Sequence, residues 1–416
     1  MVNKLKKFFL PGGQVSGKAF SADLGHQIIT GVMNTMMLPL AIVIAKQTLH
    51  ASDFELAILQ SSLMIGLILS LFYGSLVERL AAGTAYVLPR IIGSSLLLGL
   101  LIPGANQASG FTMLLAAATM IVSVSTPQLG VFYQAVYPDD QRGRLVGTTR
   151  WFQLLTAAIT SWVVGDYLKN HAASWPWIYA LTGVAGILLS LPLLGVGRHE
   201  RPTRRTFTLA EGFRIVSRDR NFCLFLAFQF LLGIANMAGN FSFYLYVNKT
   251  EYLGLDLKTA ALVTGAIPPV AMLLSIRPWG TLFDRIGIVG YRVITNVFMA
   301  MGFLIYVLPG GIWTACIGVF VWSMGRSGGQ LAWTIGILQF AGGPHRSPVY
   351  MRIHTFLTGV RGVVAPFVAT WLISTGTHPR HIFLGSFALL LLSSWLTWKY
   401  IRLEDERRPA AASSGH

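Results

Sequence analysis

The sequence predicts an all-α membrane protein with twelve transmembrane helices in two pseudo-symmetric six-helix bundles, and three observations support this fold class. Only 12% of the 416 residues are charged while 53% are hydrophobic, and a soluble domain usually carries about 25% charged residues. Many apolar stretches exceed about 18 residues, which is long enough to cross a bilayer. A motif in the first half of the chain recurs in the second half. A soluble enzyme, a nucleic-acid-binding protein and a disordered chain are therefore excluded.

The apolar stretches predict twelve helices, which we number in chain order. Backbone groups in lipid must form hydrogen bonds within their own segment, so continuous helices are the expected form. The connections are short except for a basic, polar stretch near the middle of the chain, where Leu209, Phe213 and Val216 predict an amphipathic piece on the membrane surface. The predicted helices cover residues 23–45, 54–77, 86–105, 109–135, 145–168, 175–197, 222–247, 257–280, 290–309, 312–338, 350–374 and 381–401.

These helices divide the chain into five regions. The N-terminal segment is polar and basic and lacks the cleavage site of a signal peptide, so the first helix should stay in the membrane. Cys223 and Cys316 lie inside apolar segments, which argues against a disulfide framework or a thiolate metal site. The regions are a cytoplasmic segment (1–22), the first bundle (23–197), a cytoplasmic linker (198–221), the second bundle (222–401) and a disordered cytoplasmic tail (402–416).

The positive charges predict the orientation of the helices. The chain carries 32 Lys and Arg against 16 Asp and Glu, and cytoplasmic loops of membrane proteins collect the cations. With a cytoplasmic N-terminus, most cations fall in the inner loops and tails, including Arg90 and Arg292. The outer loops then hold only Lys46, Lys169, Lys249, Lys258 and Arg380. Both termini are therefore expected in the cytoplasm, and the inner membrane of a bacterium is the expected location.

An internal repeat links the two halves. The sequence GSLVER at residues 74–79 ends predicted helix 2, and GTLFDRIG at residues 280–287 ends predicted helix 8, with the second motif 206 residues after the first. The same offset carries Asn34 onto Asn240. A weak repeat at half the chain length, with six helices in each half, is typical of a transporter built from two bundles.

With these motifs the sequence resembles the major facilitator superfamily over residues 20–401. The loop after predicted helix 8 matches the superfamily's signature, whereas the copy after helix 2 departs from it at Glu78 and Ala81. Residues 138–143 are similar to the superfamily's loop between helices 4 and 5. The resemblance implies a secondary transporter that works by alternating access, with a central cavity lined by helices 1, 4, 7 and 10.

The signature residues predict a latch that holds the two bundles together on the cytoplasmic side. Glycine lets helix ends approach closely, and an acidic side chain can face a neighbouring helix N-terminus and nearby arginines. A solvated turn is the alternative interpretation. The predicted latch consists of Gly280, Asp284, Arg285 and Gly287 in the second half and Gly74, Glu78 and Arg79 in the first, with Arg142 and Arg144 as partners.

Two arginines inside predicted helices indicate the substrate. Arg326 and Arg361 fall near the middle of helices 10 and 11, where a charge costs at least about 2.5–3.5 kcal/mol and usually faces a cavity or a partner. Guanidinium groups bind carboxylate, sulfonate or phosphate through paired hydrogen bonds. We therefore expect a small organic anion as the substrate, although both arginines could instead brace helices.

Further polar and aromatic residues extend this predicted site. Trp322, Gln330 and Trp333 share a face of helix 10 with Arg326, and aromatic rings suit a substrate with an apolar body. Arg150 and Gln153 lie near the start of helix 5. The remaining predicted substrate contacts are Asn34 of helix 1, Asn236, Asn240 and Tyr244 of helix 7, and Thr358 of helix 11. Hydrogen bonds between helices would explain the Asn residues equally well.

The groups available for proton coupling are Asp23, His26 and His354, because histidine titrates near neutral pH. Uniport and anion exchange stay open. Methionines beside His26 in helix 1 would suit Cu(I), but cavity arginines would repel a cation, so neither a metal nor a cofactor is expected. The expected partners are an anionic small molecule, the bilayer and, if transport is coupled, protons. No nucleic acid is expected, and the chain should be a monomer.

Two other functions remain open. A proton-coupled exporter of drugs or other amphipathic compounds is the main alternative, although residues 147–166 lack the glycine- and proline-rich pattern of the superfamily's drug antiporters. A receptor or scaffold that has lost transport is the third hypothesis. No nucleophile–base pair, phosphate-binding loop or metal cluster in the sequence supports an enzyme.

Overall fold

A computed structural model describes residues 17–77, 79–105, 107–197, 209–286, 288–335, 340 and 347–401. Helical segments lie within each of the twelve predicted stretches but do not fill all of them, and we label these helices α1–α12. In the first half they are α1 (Gly17–Met37, continued by Pro39–Gln47), α2 (Asp53–Leu76), α3 (Ala82–Leu98), α4 (Ala108–Val124, continued by Gln128–Val136), α5 (Asp139–Asn170) and α6 (Trp175–Ser190).

The second half begins after a short linker helix, Leu209–Val216. It contains α7 (Arg220–Asn248), α8 (Leu257–Ala261, a π-helical turn Leu262–Ala266, and Ile267–Arg285), α9 (Ile288–Val307), α10 (Ile312–Ile335), α11 (Ser347–Ser374) and α12 (Pro379–Tyr400). Nine helical segments of the described chain are long and apolar enough to cross a membrane, or ten if the bent α4 is one span. The helices α5 and α10 are not among them, and these two carry Arg150 and Arg326.

Local sequence explains where several helices begin and bend. Ser52 caps α2 in a capping box with Glu55, which satisfies backbone N–H groups that the first turn leaves free. Prolines, which have no backbone N–H, accompany the irregular points. Pro39 follows the break in α1, and Pro127 lies at the 43° bend in α4.

The two halves use the same packing pattern. In the first half α1 packs on α5, α2 on α4, and α3 on α6. In the second half the equivalent pairs are α7 on α11, α8 on α10, and α9 on α12. The halves meet along two helix pairs, α2 with α11 and α5 with α8. This arrangement places one long inner face from each half opposite the other.

Glycines permit the closest helix approaches. A Cβ on Gly31 of α1 would lie 2.2 Å from the backbone oxygen of Gln153 on α5, so no larger residue fits without separating the helices. Between the halves, a Cβ on Gly265 would lie 2.2 Å from Oγ of Ser161, and this hydroxyl donates to the carbonyl of Ala261 at 2.6 Å. Such contacts bring α5 and α8 together at their backbones.

Ion pairs join the halves at the end of the helix bundle opposite Gly17 and Ile401, the first and last residues that the structure describes, and we call this the distal end. Lys249 of the second half lies 2.7 Å from Asp53 of the first. Two further pairs cross in the same region, Lys169 with Asp256 at 3.0 Å and Lys258 with Asp166 at 2.6 Å. Among the residues that the structure describes, every ion pair between the halves lies at this end.

The structure changes three details of the sequence interpretation. Arg90 and Arg292, expected in cytoplasmic loops, are 6% and 5% exposed, because both lie inside helices and point into their bundles. The helix α1 begins at Gly17, six residues before its predicted start. The linker helix packs on α11, where the ring of Phe213 lies 6.0 Å from that of Phe356. The tail, residues 402–416, and the segment 1–16 lie outside the described residues.

Candidate functional site

Arg326 is exposed although it lies in the interior of the 24-residue helix α10. Its guanidinium lies within electrostatic range of Arg150 on α5 and Tyr244 on α7, so the side chain faces inward between the halves. The guanidinium carbon sits 5.3 Å from the ring centre of Trp322. Within the described part of the chain, Arg326 has no hydrogen-bond acceptor and no carboxylate partner. A charge inside a membrane protein usually faces a cavity or a partner, and we call the space between the halves beside Arg326 the crevice.

Arg150 supplies a second positive charge to the same region from the other half. Its Nη1 donates to Gln153 at 3.3 Å, and its Nη2 donates to Oε1 of Gln330 at 3.2 Å. The bond to Gln330 connects α5 to α10 across the crevice. Arg150 and Arg326 therefore face the same space from opposite halves, without a carboxylate between them among the described residues.

The predicted helix 10 face is only partly a cavity surface. Trp322 is 3% exposed, and its indole N–H donates to the side-chain oxygen of Asn236 at 2.8 Å. This bond connects α10 to α7. Tyr244 is also buried, at 6% exposure. Trp322, Asn236 and Tyr244 therefore form the wall around the cation.

Two asparagines occupy equivalent positions of the two halves, 206 residues apart. Asn34 of α1 is exposed, and Asn240 of α7 is half-buried. Neither makes a hydrogen bond to another described residue. Amide groups can both donate and accept hydrogen bonds, so these two residues stay candidate substrate contacts.

Arg361 occupies a different environment from Arg326. It is 7% exposed, and its Nη1 donates to the backbone oxygen of Gln229 on α7. Its side chain lies against Gly233, where a Cβ would meet Nε at 2.2 Å. The structure therefore places Arg361 inside the second bundle, away from the Arg326 crevice. Thr358, one turn earlier, accepts a long 3.4 Å bond from the Trp333 indole.

The coupling candidates of the first half form one buried cluster. Asp23 is fully buried and accepts hydrogen bonds from the Tyr137 hydroxyl at 2.5 Å and from Gln27 at 3.2 Å. His26 contacts Oγ of Ser190 through Nδ1 at 3.1 Å, and its Nε2 has no partner in the described chain. Arg90 lies over the ring of Tyr86 at 4.6 Å, beside this cluster. A carboxyl group and a histidine thus lie together in a bundle interior.

His354, the third coupling candidate, belongs to the second bundle with Arg361. It is 1% exposed, its Nε2 has no described partner, and its ring lies 6.0 Å from that of Trp333. Arg292 and Arg361 both act on it electrostatically. Sequence reasoning missed the buried role of Arg292, whose i, i+4 spacing with Asn296 on an otherwise apolar helix was the available signal.

The structure describes only part of the predicted latch. Glu78, Gly287 and the Asp284 side chain lie outside the described residues. Arg79, Arg144 and Arg285 are exposed, and Arg142 donates to the backbone oxygens of Tyr133 and Tyr137 at 3.3 and 3.1 Å. A Cβ on Gly280 would meet nothing within 4 Å, and one on Gly74 would meet only Gln128 at 3.5 Å. The latch remains a prediction.

No cluster of three or more His, Cys, Asp or Glu side chains that could hold a metal occurs in the described chain. Cys223 and Cys316 are unpaired and half-buried. The candidate site is the region between the halves where Arg150 of α5 and Arg326 of α10 lie within electrostatic range of each other.

Comparisons with known proteins agree with this architecture. A family model described as Major Facilitator Superfamily matches residues 27–366. The nucleoside transporter NupG has a similar structure, with a TM-score of 0.73 at 14% identity over 92% of this chain and 99% of that one. A POT peptide transporter in complex with sulfate gives 0.69 at 13% identity, covering 96% and 99%. The E. coli fucose:proton symporter FucP gives 0.59 at 17% identity, covering 91% and 98%.

A search of curated proteins by sequence finds no match, and the low identities to solved structures show the fold alone. The family model matches most of the chain, residues 27–366, and this match shows the family. This chain belongs to the Major Facilitator Superfamily, and it is a multi-pass membrane transporter rather than an enzyme.

Proposed function

We propose that this protein transports a small organic anion by alternating access. The observation that carries the proposal is Arg326, an exposed guanidinium inside the protein with no acceptor among the described residues. A permanent charge in a membrane interior needs a compensating group or water. A substrate carboxylate, sulfonate or phosphate would accept paired hydrogen bonds from this guanidinium.

The position of Arg150 supports an anion that contacts both halves. Its bond to Gln330 crosses from α5 to α10, and an incoming anion would compete for the same guanidinium. Such an exchange would link substrate binding to the relative position of the halves. The Trp322 ring lies beside Arg326 but is only 3% exposed, so the proposal rests on the charge of the anion and not on an apolar or aromatic body.

A rocking motion of the two halves is the proposed mechanism. The distal end is closed by three ion pairs and by the close packing of α5 with α8. With cytoplasmic termini, this state is closed toward the outside and presents the crevice to the cytoplasm. Opening the distal end requires those ion pairs to separate, so they are the proposed outer gate.

Proton coupling is proposed for Asp23 and His26 rather than for a group in the crevice. Asp23 is buried against Tyr137 and Gln27 on elements that also support α1. Protonation or deprotonation of Asp23 changes the charge of a buried group. If the Asp23 carboxyl is more buried in one conformation of the protein than in another, this change of charge shifts the equilibrium between the two conformations.

Uptake into proteoliposomes tests the proposed substrate class. The purified protein would be screened by counterflow against monocarboxylates, aromatic carboxylates and phosphate esters. The variant Arg326→Gln removes the charge but keeps hydrogen-bonding capacity, and loss of a charged hydrogen bond worth about 1.5–3 kcal/mol should weaken binding about 10- to 100-fold. The exposed residue Arg380 provides the matched control, Arg380→Gln, which should transport normally.

Two results would contradict the proposal. One is normal anion transport by Arg326→Gln. The other is a protein that moves only neutral or cationic compounds, which would instead support the alternative of a drug exporter.

A further inference from the structure

The second bundle encloses two arginines in one buried cluster. Arg292 of α9 and Arg361 of α11 are 5% and 7% exposed. Both donate to the same residue, Gln229 of α7: Arg292 to its side-chain oxygen and Arg361 to its backbone oxygen. The two guanidiniums are therefore held on either side of one glutamine, within electrostatic range of each other.

The cluster has positive charge but no described negative charge. Arg292 also donates to the backbone oxygen of Gly329 at 3.2 Å. A backbone carbonyl is a dipole without a net charge, so it does not neutralise the guanidinium. No carboxylate of the described residues forms an ion pair with Arg292 or Arg361. Guanidinium groups stay protonated in proteins, so burial cannot be relieved by losing a proton, and buried charges are normally paired.

Several buried polar atoms around the two arginines have no partner among the described residues. They belong to groups from three helices, and most of them can donate a hydrogen bond. These atoms are Nε of Arg292, Nε of Arg361, Nε2 of Gln229, Nε2 of His354 and both side-chain polar atoms of Asn296. Buried donors without partners are rare in folded proteins, and several of them in a bundle that also encloses two cations with no described carboxylate partner match the chemistry of an anion site.

The internal repeat shows what the cluster lacks. The offset of 206 residues that relates the halves carries Asp23 onto Gln229 and Arg90 onto Asn296. The first bundle therefore contains both a buried carboxylate and a buried arginine. In the second bundle an amide stands at the position of the carboxylate, while two arginines are present.

We propose that Arg292, Arg361 and Gln229 form a buried binding site for one small anion inside the second bundle. The anion takes the electrostatic role that Asp23 has in the first bundle, and it ties α7, α9 and α11 together. An inorganic anion of chloride size and the carboxylate of a transported molecule share this chemistry, and the experiment below separates them. The site does not depend on Arg326 being the substrate contact.

Thermal unfolding of the purified protein in detergent tests the site. Tryptophan fluorescence would be followed in sodium chloride, bromide, sulfate and gluconate at equal ionic strength. A ligand that binds the folded state raises Tm with saturation, so we expect a saturating rise for the small halides. General salt effects should instead increase without saturation and affect all variants alike.

The variant Gln229→Glu places a carboxylate between the two arginines. We expect the Tm of this variant in gluconate to be as high as that of the wild type in chloride. Its Tm should no longer depend on chloride, because the new carboxylate replaces the bound anion. Arg292→Gln should also lose the chloride response, but it removes a buried group and could misfold. Gln229→Glu keeps both arginines, so its loss of the chloride response cannot be attributed to misfolding. Gln134→Glu adds a charge at an exposed position of α4 and should keep the full response of the wild type.

Three outcomes would overturn the inference. The first is a wild-type Tm that is the same in chloride and gluconate. The second is an unchanged chloride response in Gln229→Glu. The third is stabilisation by organic carboxylates alone that disappears in Arg326→Gln, which would assign the anion to the transport crevice and not to this cluster. If Arg326→Gln keeps the saturating rise in Tm with chloride or bromide, the anion bound by this cluster is inorganic.

Discussion

One carboxylate at the distal end is shared by a lysine from each half of the molecule. Lys249 of the second half lies 2.7 Å from Oδ2 of Asp53, and Lys46 of the first half lies 2.8 Å from Oδ1. The Asp53 and Lys249 side chains are only 19% and 14% exposed, so solvent screens this pair less than a typical surface pair. Asp53 therefore connects the two halves at the proposed outer gate while remaining bound to its own half.

We predict that Lys249→Gln opens the distal end, whereas Lys46→Gln does so much less. The first variant removes the contact between the halves, and the second removes a contact within one half. A loss of about 1 kcal/mol would change the ratio of closed to open molecules about fivefold. Spin labels at His171→Cys and Thr250→Cys, without the native cysteines, would report the distance across the gate. An equal distance distribution in both variants would contradict this role.

We predict that the gate is insensitive to pH between about 5 and 9. A hydrogen bond from Thr259, opposed by burial and assisted by Lys169, lowers the pKa of Asp256 below its usual 3.8. The negative charge of Asp256, which stabilises the gate, is therefore present at pH values above 3.8 and is lost only as the pH falls below this value. Burial lowers the pKa of Lys249, but the stronger effect of Asp53 raises it above 10.5, so this cation is lost only at higher pH. A change in label distance near neutral pH would refute the prediction.

We predict that Gly31→Ala destabilises the first bundle by about 1–3 kcal/mol, the usual cost of overpacking. The added Cβ would overlap the backbone oxygen of Gln153 and the hydroxyl of Thr156, each at 2.2 Å, and backbone cannot move aside cheaply. Gly25 on the same helix meets only a Leu189 methyl group at 3.7 Å, so Gly25→Ala is the matched control. Comparison of the two Tm values with the wild type measures the difference, and equal values would show that α1 and α5 can separate.

We predict that Asp23→Asn abolishes uptake driven by a pH gradient but preserves counterflow of the same substrate. Counterflow requires the conformational change without net proton movement, so it survives loss of the titrating carboxyl. Tyr137→Phe keeps the carboxyl but removes its 2.5 Å hydrogen-bond donor, so it should shift the pH dependence of uptake and not eliminate it. Gradient-driven uptake at the wild-type rate in Asp23→Asn would exclude this residue from coupling.

Sequence patterns predicted the helices because lipid-compatible apolar stretches are long and continuous. They also made Arg326 a candidate substrate contact, because a guanidinium in the middle of such a stretch is unusual, and that role stays a proposal. Arg292 was assigned to a loop because it lies only four residues after the first residue of α9, where a cation usually marks the cytoplasmic side. Its burial depends on Gln229 of α7, and no local pattern contains that contact.

Hydrophobicity and the half-chain repeat can be read directly from the sequence. These two properties determined the helical class and the two-part organisation of this protein. Only the tertiary structure decided which inner polar groups face the crevice and which are enclosed within a bundle. Arg326 and Arg361 have similar surroundings in sequence, yet the first is exposed and the second lies against Gly233. The physical reason is helix packing, which sets the rotation of each helix and therefore the direction of every side chain on it.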